Sequence, residues 1–126
     1  MLKIARMFLL VLLVAMAVPS FAFNGADLSK AMDTAAYAGQ YLCEIMHPGM
    51  PKPWTNPMYM TMMNKVSESW KVIDKEISSI ETEKEIANAR AIVELYKSMK
   101  GTYRDLGHQV EISLNERIKF LEAHSA

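Results

Sequence analysis

Apolar residues in the middle of the chain recur at alternating spacings of four and three, which is typical of one buried helix face. The pattern holds without interruption through Tyr59, Met63, Val66, Trp70, Ile73, Ile77 and Ile80. Asn56 is a favoured helix cap, and Pro57 fits the first helical position, where no backbone N–H is needed. The sequence therefore predicts a helix over residues 57–80, with Met63 among its core positions.

A second amphipathic stretch begins at a predicted capping box, in which Thr82 and Glu85 each bond to the backbone of the other. The apolar positions after it are Ala89, Ile92, Tyr96, Met99, Tyr103, Leu106, Val110, Leu114, Ile118 and Leu121. Glycine inside a helix costs about 1 kcal/mol, but the apolar spacing crosses Gly101 in register. We therefore expect one helix over residues 82–122, bent at Gly101 or Gly107.

The N-terminal part of the domain shows the same periodicity on a face rich in alanine. A helix over residues 25–46 can be capped by Asn24 or Asp27, and a proline-rich loop over residues 47–56 separates it from the next helix. The prediction is an all-α fold: an elongated antiparallel helical hairpin or three-helix, coiled-coil-like bundle. It forms a single domain over residues 23–126.

The third predicted helix is much longer than its neighbours. At 1.5 Å per residue it spans on the order of 60 Å, against about 35 Å for the other two. Its C-terminal half carries a predicted interaction face formed by Leu106, Val110, Leu114, Ile118 and Leu121. Either the first helix packs against this half, or a protein partner or second copy of the chain covers it, because exposed apolar faces of this extent usually mark association.

The first residues have the pattern of a secretory signal peptide. Lys3 and Arg6 precede an apolar run from Phe8 to Val18. The small residues Ser20 and Ala22 then stand at the two positions that a signal peptidase reads. The run is shorter than the roughly 20 residues of a membrane-spanning helix. Cleavage is therefore predicted to remove residues 1–22, giving a periplasmic or secreted protein with no stable membrane insertion. An uncleaved signal anchor is the alternative.

Charge and reactive residues narrow the function classes. Removing Lys3 and Arg6 leaves 12 basic against 14 acidic residues, a near balance that disfavours nucleic acid as a partner. Cys43 is the only cysteine, so no disulfide can form within the chain. No nucleophile–histidine spacing, acid/base pair or glycine-rich phosphate loop is present, and the chain is not predicted to be an enzyme.

The strongest concentration of possible ligands surrounds the proline-rich loop, where six methionines and one histidine lie between residues 46 and 63. Thioether sulfur is a soft ligand suited to Cu(I). The candidate metal ligands are Cys43, Met46, His47, Met50, Met58 and Met62. The composition of residues 43–63 resembles that of the Met- and His-rich segments of periplasmic copper- and silver-handling proteins, and this resemblance implies a soft-metal site.

The same methionines have a second interpretation. Methionine fills irregular gaps in cores and forms adaptable surfaces that bind partner helices. The leading hypothesis is therefore a non-catalytic exported protein, without a cofactor, that mediates protein–protein interaction or self-association through its coiled-coil face. A periplasmic copper or silver binder is the alternative. A helical chaperone for exported chains is the third, since the chain broadly resembles exported helical-hairpin stress proteins.

Overall fold

The computed structural model describes residues 22–125, so the predicted signal peptide lies outside the described residues, apart from Ala22. Within this range every regular element is helical, and the predicted all-α fold class is confirmed. The elements are α1 (Gly25–Ile45), a 3₁₀ turn (Pro53–Thr55), α2 (Tyr59–Ser78), α3 (Glu83–Lys97) and α4 (Thr102–Ala123). Across these residues no helix has the length and apolar content needed to cross a membrane.

Local capping explains where two of the helices begin. The Asn24 side chain accepts a hydrogen bond from the Asp27 N–H at 3.1 Å and starts α1. The predicted capping box at Thr82 is present and starts α3. Asn56 instead caps a turn: its side chain accepts from the Met58 N–H at 2.8 Å, and α2 begins at Tyr59 rather than at residue 57.

The prediction of one helix over residues 82–122 is wrong, because the chain reverses between α3 and α4. Gly101 adopts φ 64° and ψ −136°, a conformation that L-residues with a Cβ rarely enter. Residues 98–101 form the connection, and this length is normal between antiparallel helices. The apolar spacing continues across the break because Met99 packs against the core from the connection itself.

The hydrogen bonds between helices fix how α3 and α4 lie along α1. The Tyr96 hydroxyl donates to the Asp33 carboxylate at 2.6 Å and to the Ser29 carbonyl at 2.9 Å. Burial and the bond to Asp33 raise the pKa of Tyr96 to about 12. The Thr102 hydroxyl donates to the Ala36 carbonyl at 3.1 Å, so α4 starts beside the middle of α1.

The far end of α4 lies at the opposite end of the bundle. Arg117 Nε donates to the Ile80 carbonyl at 2.9 Å, just after α2 ends. Ile80 is close to the beginning of α1, since the Asn24 N–H donates to Glu76 Oε1 at 2.8 Å. Helix α4 therefore runs antiparallel to α1, from the level of Ala36 back to the beginning of α1. It does not extend over the second half of α1.

Two apolar clusters result from this arrangement. The main cluster draws on all four helices and contains Leu28, Met32, Ile73, Ile80, Val93, Val110 and Leu114 among its most buried side chains. The second cluster contains Ala38, Leu42 and Met62, with Tyr41, Ile45, Tyr59 and Val66 packed against it. It is formed by α1 and α2 alone. The α1–α2 hairpin thus extends beyond the four-helix part of the molecule.

The predicted interaction face of α4 belongs mainly to the chain's own core. Leu106, Val110 and Leu114 are buried, and Ile118 and Leu121 are partly buried and pack against the main cluster. The reason is the reversal at Gly101, which folds α4 back onto α1 and α3. Of the two arrangements left open by the sequence, packing of the first helix against this half is the one observed.

The buried stripe of α2 also differs from the predicted seam. Met62 is 5% exposed and Met63 is 43% exposed, so the prediction of Met63 as a core residue is wrong. The buried positions include Ser69 and Glu76, two polar residues that a search for apolar periodicity passes over. Because α2 faces only α1 near the loop, its stripe is set there by contact with Leu42 and Ala38.

Candidate functional site: the hairpin tip

The hairpin tip, defined as residues 43–63, comprises the end of α1, the proline-rich loop and the first turn of α2. It rests on the second apolar cluster, in which Met62 packs with Ala38 and Leu42. The Tyr41 hydroxyl donates to Asn56 Oδ1 at 3.3 Å and ties the returning chain to α1. These contacts hold the tip in place without any residue from α3 or α4.

Short-range hydrogen bonds give the loop a defined path. The Met50 N–H donates to the His47 carbonyl at 3.1 Å across a turn in which Gly49 has φ 91°. The Thr55 N–H and hydroxyl both donate to the Lys52 carbonyl, at 3.0 and 2.6 Å. With the backbone groups paired locally, the side chains of the loop are presented outward on a shaped scaffold.

Large apolar side chains are exposed all over this tip. They are Met46, Met50, Trp54, Met58, Met60 and Met63. Trp54 is 66% exposed, and its ring lies 5.6 Å from Lys52 Nζ. Outside the tip, the exposed large apolar residues are spread over all four helices. An apolar concentration of this kind is the usual mark of an interaction site.

A small groove opens on the loop side of the tip. It has a volume of about 190 Å³ and is lined by Ile45, Met50, Pro51, Lys52, Pro53, Thr55 and Asn56. Sites for drug-sized ligands are usually larger, about 300–1,000 Å³. A cavity of roughly 150 Å³ suffices for a benzene ring. The groove therefore has the size to accept one apolar side chain rather than a whole cofactor.

The six predicted metal ligands divide into two groups. Cys43, Met46, His47, Met50 and Met58 are all exposed on the tip. Met62 lies in the apolar cluster beneath them, away from the surface. His47 Nδ1 lies 2.8 Å from the Pro48 carbonyl oxygen. Among residues 22–125 there is no group of three or more His, Cys, Asp and Glu side chains that could hold a metal ion.

Two features of the site were missed in the sequence. Trp54 and Met60 were not among the predicted site residues, although both belong to the exposed surface. For Trp54 the signal is the prolines on either side of it, which keep this loop out of a regular helix interface. Met60 lies in α2, where only the packing against α1 decides its exposure. No protein-family model, curated protein or solved structure matches the chain.

Proposed function

We propose that this chain is an exported, non-catalytic binding protein that holds an apolar segment of another polypeptide on its hairpin tip. The observation that carries the proposal is the exposure of five methionines and one tryptophan on a part of the hairpin that α3 and α4 leave free. The proposed interaction surface is therefore the tip and not the face of α4, whose central residues are buried.

Methionine suits such a surface for a physical reason. Its side chain is unbranched and polarisable, so it repacks around apolar partners of different shape. Trp54 adds a large rigid face beside the groove, and tryptophan is among the residues that contribute most to binding at interfaces. A chaperone would use the same surface for many unfolded chains, whereas an adaptor would use it for one partner.

The first test compares two versions of the same surface. Met46, Met50, Met58 and Met60 are replaced together with leucine in one variant and with serine in the other. The probe is a fluorescein-labelled amphipathic helical peptide with a leucine stripe, followed by fluorescence anisotropy. We expect the leucine variant to bind within about twofold of the parent. The serine variant should bind at least about tenfold more weakly, which corresponds to about 1.4 kcal/mol.

Two controls accompany this comparison. A peptide whose leucines are replaced with serine should bind neither the parent nor the leucine variant. All four methionines are exposed, so circular dichroism should show the same helix content and melting curve in both variants. Equal binding of the leucine-striped peptide by the parent and the serine variant would contradict the proposed surface.

Cu(I) binding is the second candidate function, favoured by the exposure of Cys43, Met46, His47 and Met50 within a single stretch at the end of α1. The leucine variant removes sulfur ligands while keeping side-chain volume. If the tip is a polypeptide-binding surface, Cu(I) titration against a competing chelator shows weak binding, equal in the parent and that variant. Tight binding that is lost in the leucine variant would instead support Cu(I) binding as the function of the tip.

Export is part of the proposal and rests on the signal pattern of residues 1–22. The helices that the structure describes and both apolar clusters lie after Ala22, so cleavage there leaves the whole described fold in the product. Expression of the full precursor in a Gram-negative host should yield a periplasmic product whose intact mass corresponds to residues 23–126. An intact precursor held in the membrane fraction would instead identify a signal anchor.

A further inference from the structure

The first residues of the described chain are bound to a buried carboxylate. Glu76 lies in the last turns of α2 and is only 6% exposed. Its Oε1 accepts a hydrogen bond from the Asn24 N–H at 2.8 Å. Phe23 packs against the main apolar cluster next to it. Because a buried carboxylate needs donors or a positive charge to offset its lost hydration, the start of α1 stabilises Glu76 in place.

A second carboxylate approaches the same point from α3. Glu85 Oε1 accepts from the Glu81 N–H at 2.9 Å and from the Thr82 N–H at 3.1 Å. The Phe23 N–H also donates to this carboxylate, and these hydrogen bonds, that of Glu81 first, lower the pKa of Glu85. Ala22, Glu81, Thr82 and Glu85 line one groove of about 360 Å³. The Ala22–Phe23 peptide bond thus lies against acidic side chains.

We propose that cleavage after Ala22 creates an ammonium group on Phe23 that ion-pairs with Glu85 and Glu76, so that the new amino terminus joins α1 to α2 and α3. This inference rests on the proposed cleavage. The Phe23 nitrogen already contacts Glu85, and it is one residue step, at most about 3.8 Å, from the Asn24 nitrogen that contacts Glu76. The ammonium therefore forms beside Glu85 and one residue from the backbone nitrogen that Glu76 already binds.

The cleavage chemistry supplies the charge. Hydrolysis breaks the C–N bond between Ala22 and Phe23, with the water oxygen joining the Ala22 carbonyl carbon and a proton joining the Phe23 nitrogen. The released amine takes a further proton from solvent, because its ordinary pKa is about 7.7–8.0. One neutral donor is replaced with a cation that has three donors. Bonds from a charged donor are roughly twice as strong as neutral ones.

The charges around the new terminus favour the protonated amine. Glu76 faces it from α2, Glu81 from the connection, and Glu85 from α3. On the α1 side, Asp27, Lys30 and Lys75 line a groove together with Glu76, and on α4 the Nε of Arg117 is engaged by the Ile80 carbonyl at 2.9 Å. Because the carboxylate of Glu85 contacts the Phe23 nitrogen directly, it should raise the pKa of the Phe23 amine above its ordinary value.

The new amino terminus makes the stability of the folded chain depend on pH. A raised amine pKa stabilises the folded chain below about pH 7.7, and this contribution is lost as the pH rises through the folded-state value. The lowered pKa of Glu85 acts in the opposite sense: its contribution is present above the ordinary value of 4.5 and is lost as the pH falls. The ion pair therefore operates in the window between these two limits.

The test uses three purified chains that differ only at the amino terminus. One begins with a free Phe23, the second carries an acetyl group on Phe23, and the third retains Ala22 as its first residue. At about pH 6.5 we expect the free-Phe23 chain to melt roughly 4–8 °C above the acetylated chain, the shift for about 1 kcal/mol in a domain of this size. The difference should vanish at about pH 10, where the amine is neutral.

The Ala22 chain is the matched control, because it keeps the positive charge and moves it by one residue. We expect it to melt below the free-Phe23 chain. Nuclear magnetic resonance titration should give a Phe23 amine pKa at least about 0.5 above the ordinary 7.7. In a Glu85→Gln background that shift should shrink, while glutamine still completes the capping box.

An unshifted amine pKa, or equal melting of the free and acetylated chains at about pH 6.5, would overturn the inference. Because the purified chains need no export, this outcome is separate from a failure of the proposed cleavage, which the mass of the exported product tests.

Discussion

Val110→Glu is expected to destabilise the protein strongly, because it places a carboxylate in the centre of the main cluster. Val110 is 0% exposed and lies on the face of α4 that α1 covers. An unpaired buried charge costs about 3–5 kcal/mol, against a total stability of about 5–15 kcal/mol for a typical domain. Urea denaturation followed by circular dichroism should show a greatly lowered midpoint.

Ile112→Glu is the matched control for this substitution. Ile112 lies two residues away on the same helix and is 61% exposed, so the same change should alter stability by no more than about 0.5 kcal/mol. If the face of α4 were an intermolecular seam, Val110→Glu would give a folded chain of lower mass by light scattering. That result would restore the interaction face predicted from the sequence.

Gly107→Ala is expected to destabilise the protein, although alanine is the better helix former. A Cβ at this position would lie 2.8 Å from the backbone nitrogen of Lys97, where the end of α3 crosses α4. Overpacking of this kind costs about 1–3 kcal/mol, which exceeds the roughly 1 kcal/mol that alanine gains inside a helix. The melting temperature of the variant should therefore fall.

The chain offers a second helical glycine as the control. A Cβ at Gly39 would meet nothing within 4 Å, so Gly39→Ala should raise the free energy of unfolding by up to about 1 kcal/mol. The two variants make the same chemical change on two helices and are expected to shift the melting temperature in opposite directions. Shifts in the same direction would contradict the close approach of α3 and α4 at Gly107.

The parts of the fold that depend on adjacent residues could be predicted from the sequence. The Asn24 cap and the Thr82 capping box need only side chains and backbone groups within one turn, and both are present. The reversal at Gly101 could not be predicted in this way. The apolar spacing from Met99 to Tyr103 continues in phase through the break, so periodicity carries no sign of it.

The choice between Met62 and Met63 shows a different limit. Both are adjacent methionines of equal size, and the period fits either one. Only the position of α1, which meets α2 without help from other helices near the loop, decides that Met62 is buried and Met63 is exposed. The same nonlocal packing buries the Met62 sulfur and leaves Trp54 and Met60 exposed at the surface.

The separation of the two apolar clusters divides the stability of the molecule. Opening the tip breaks only the small cluster around Leu42 and Met62, whereas opening the four-helix part breaks the large one. The free energy of local opening at the tip is therefore smaller than that of global unfolding. The methionine surface can rearrange around an occupant while the rest of the chain stays folded, and substitutions there can alter recognition at little expense to the overall fold.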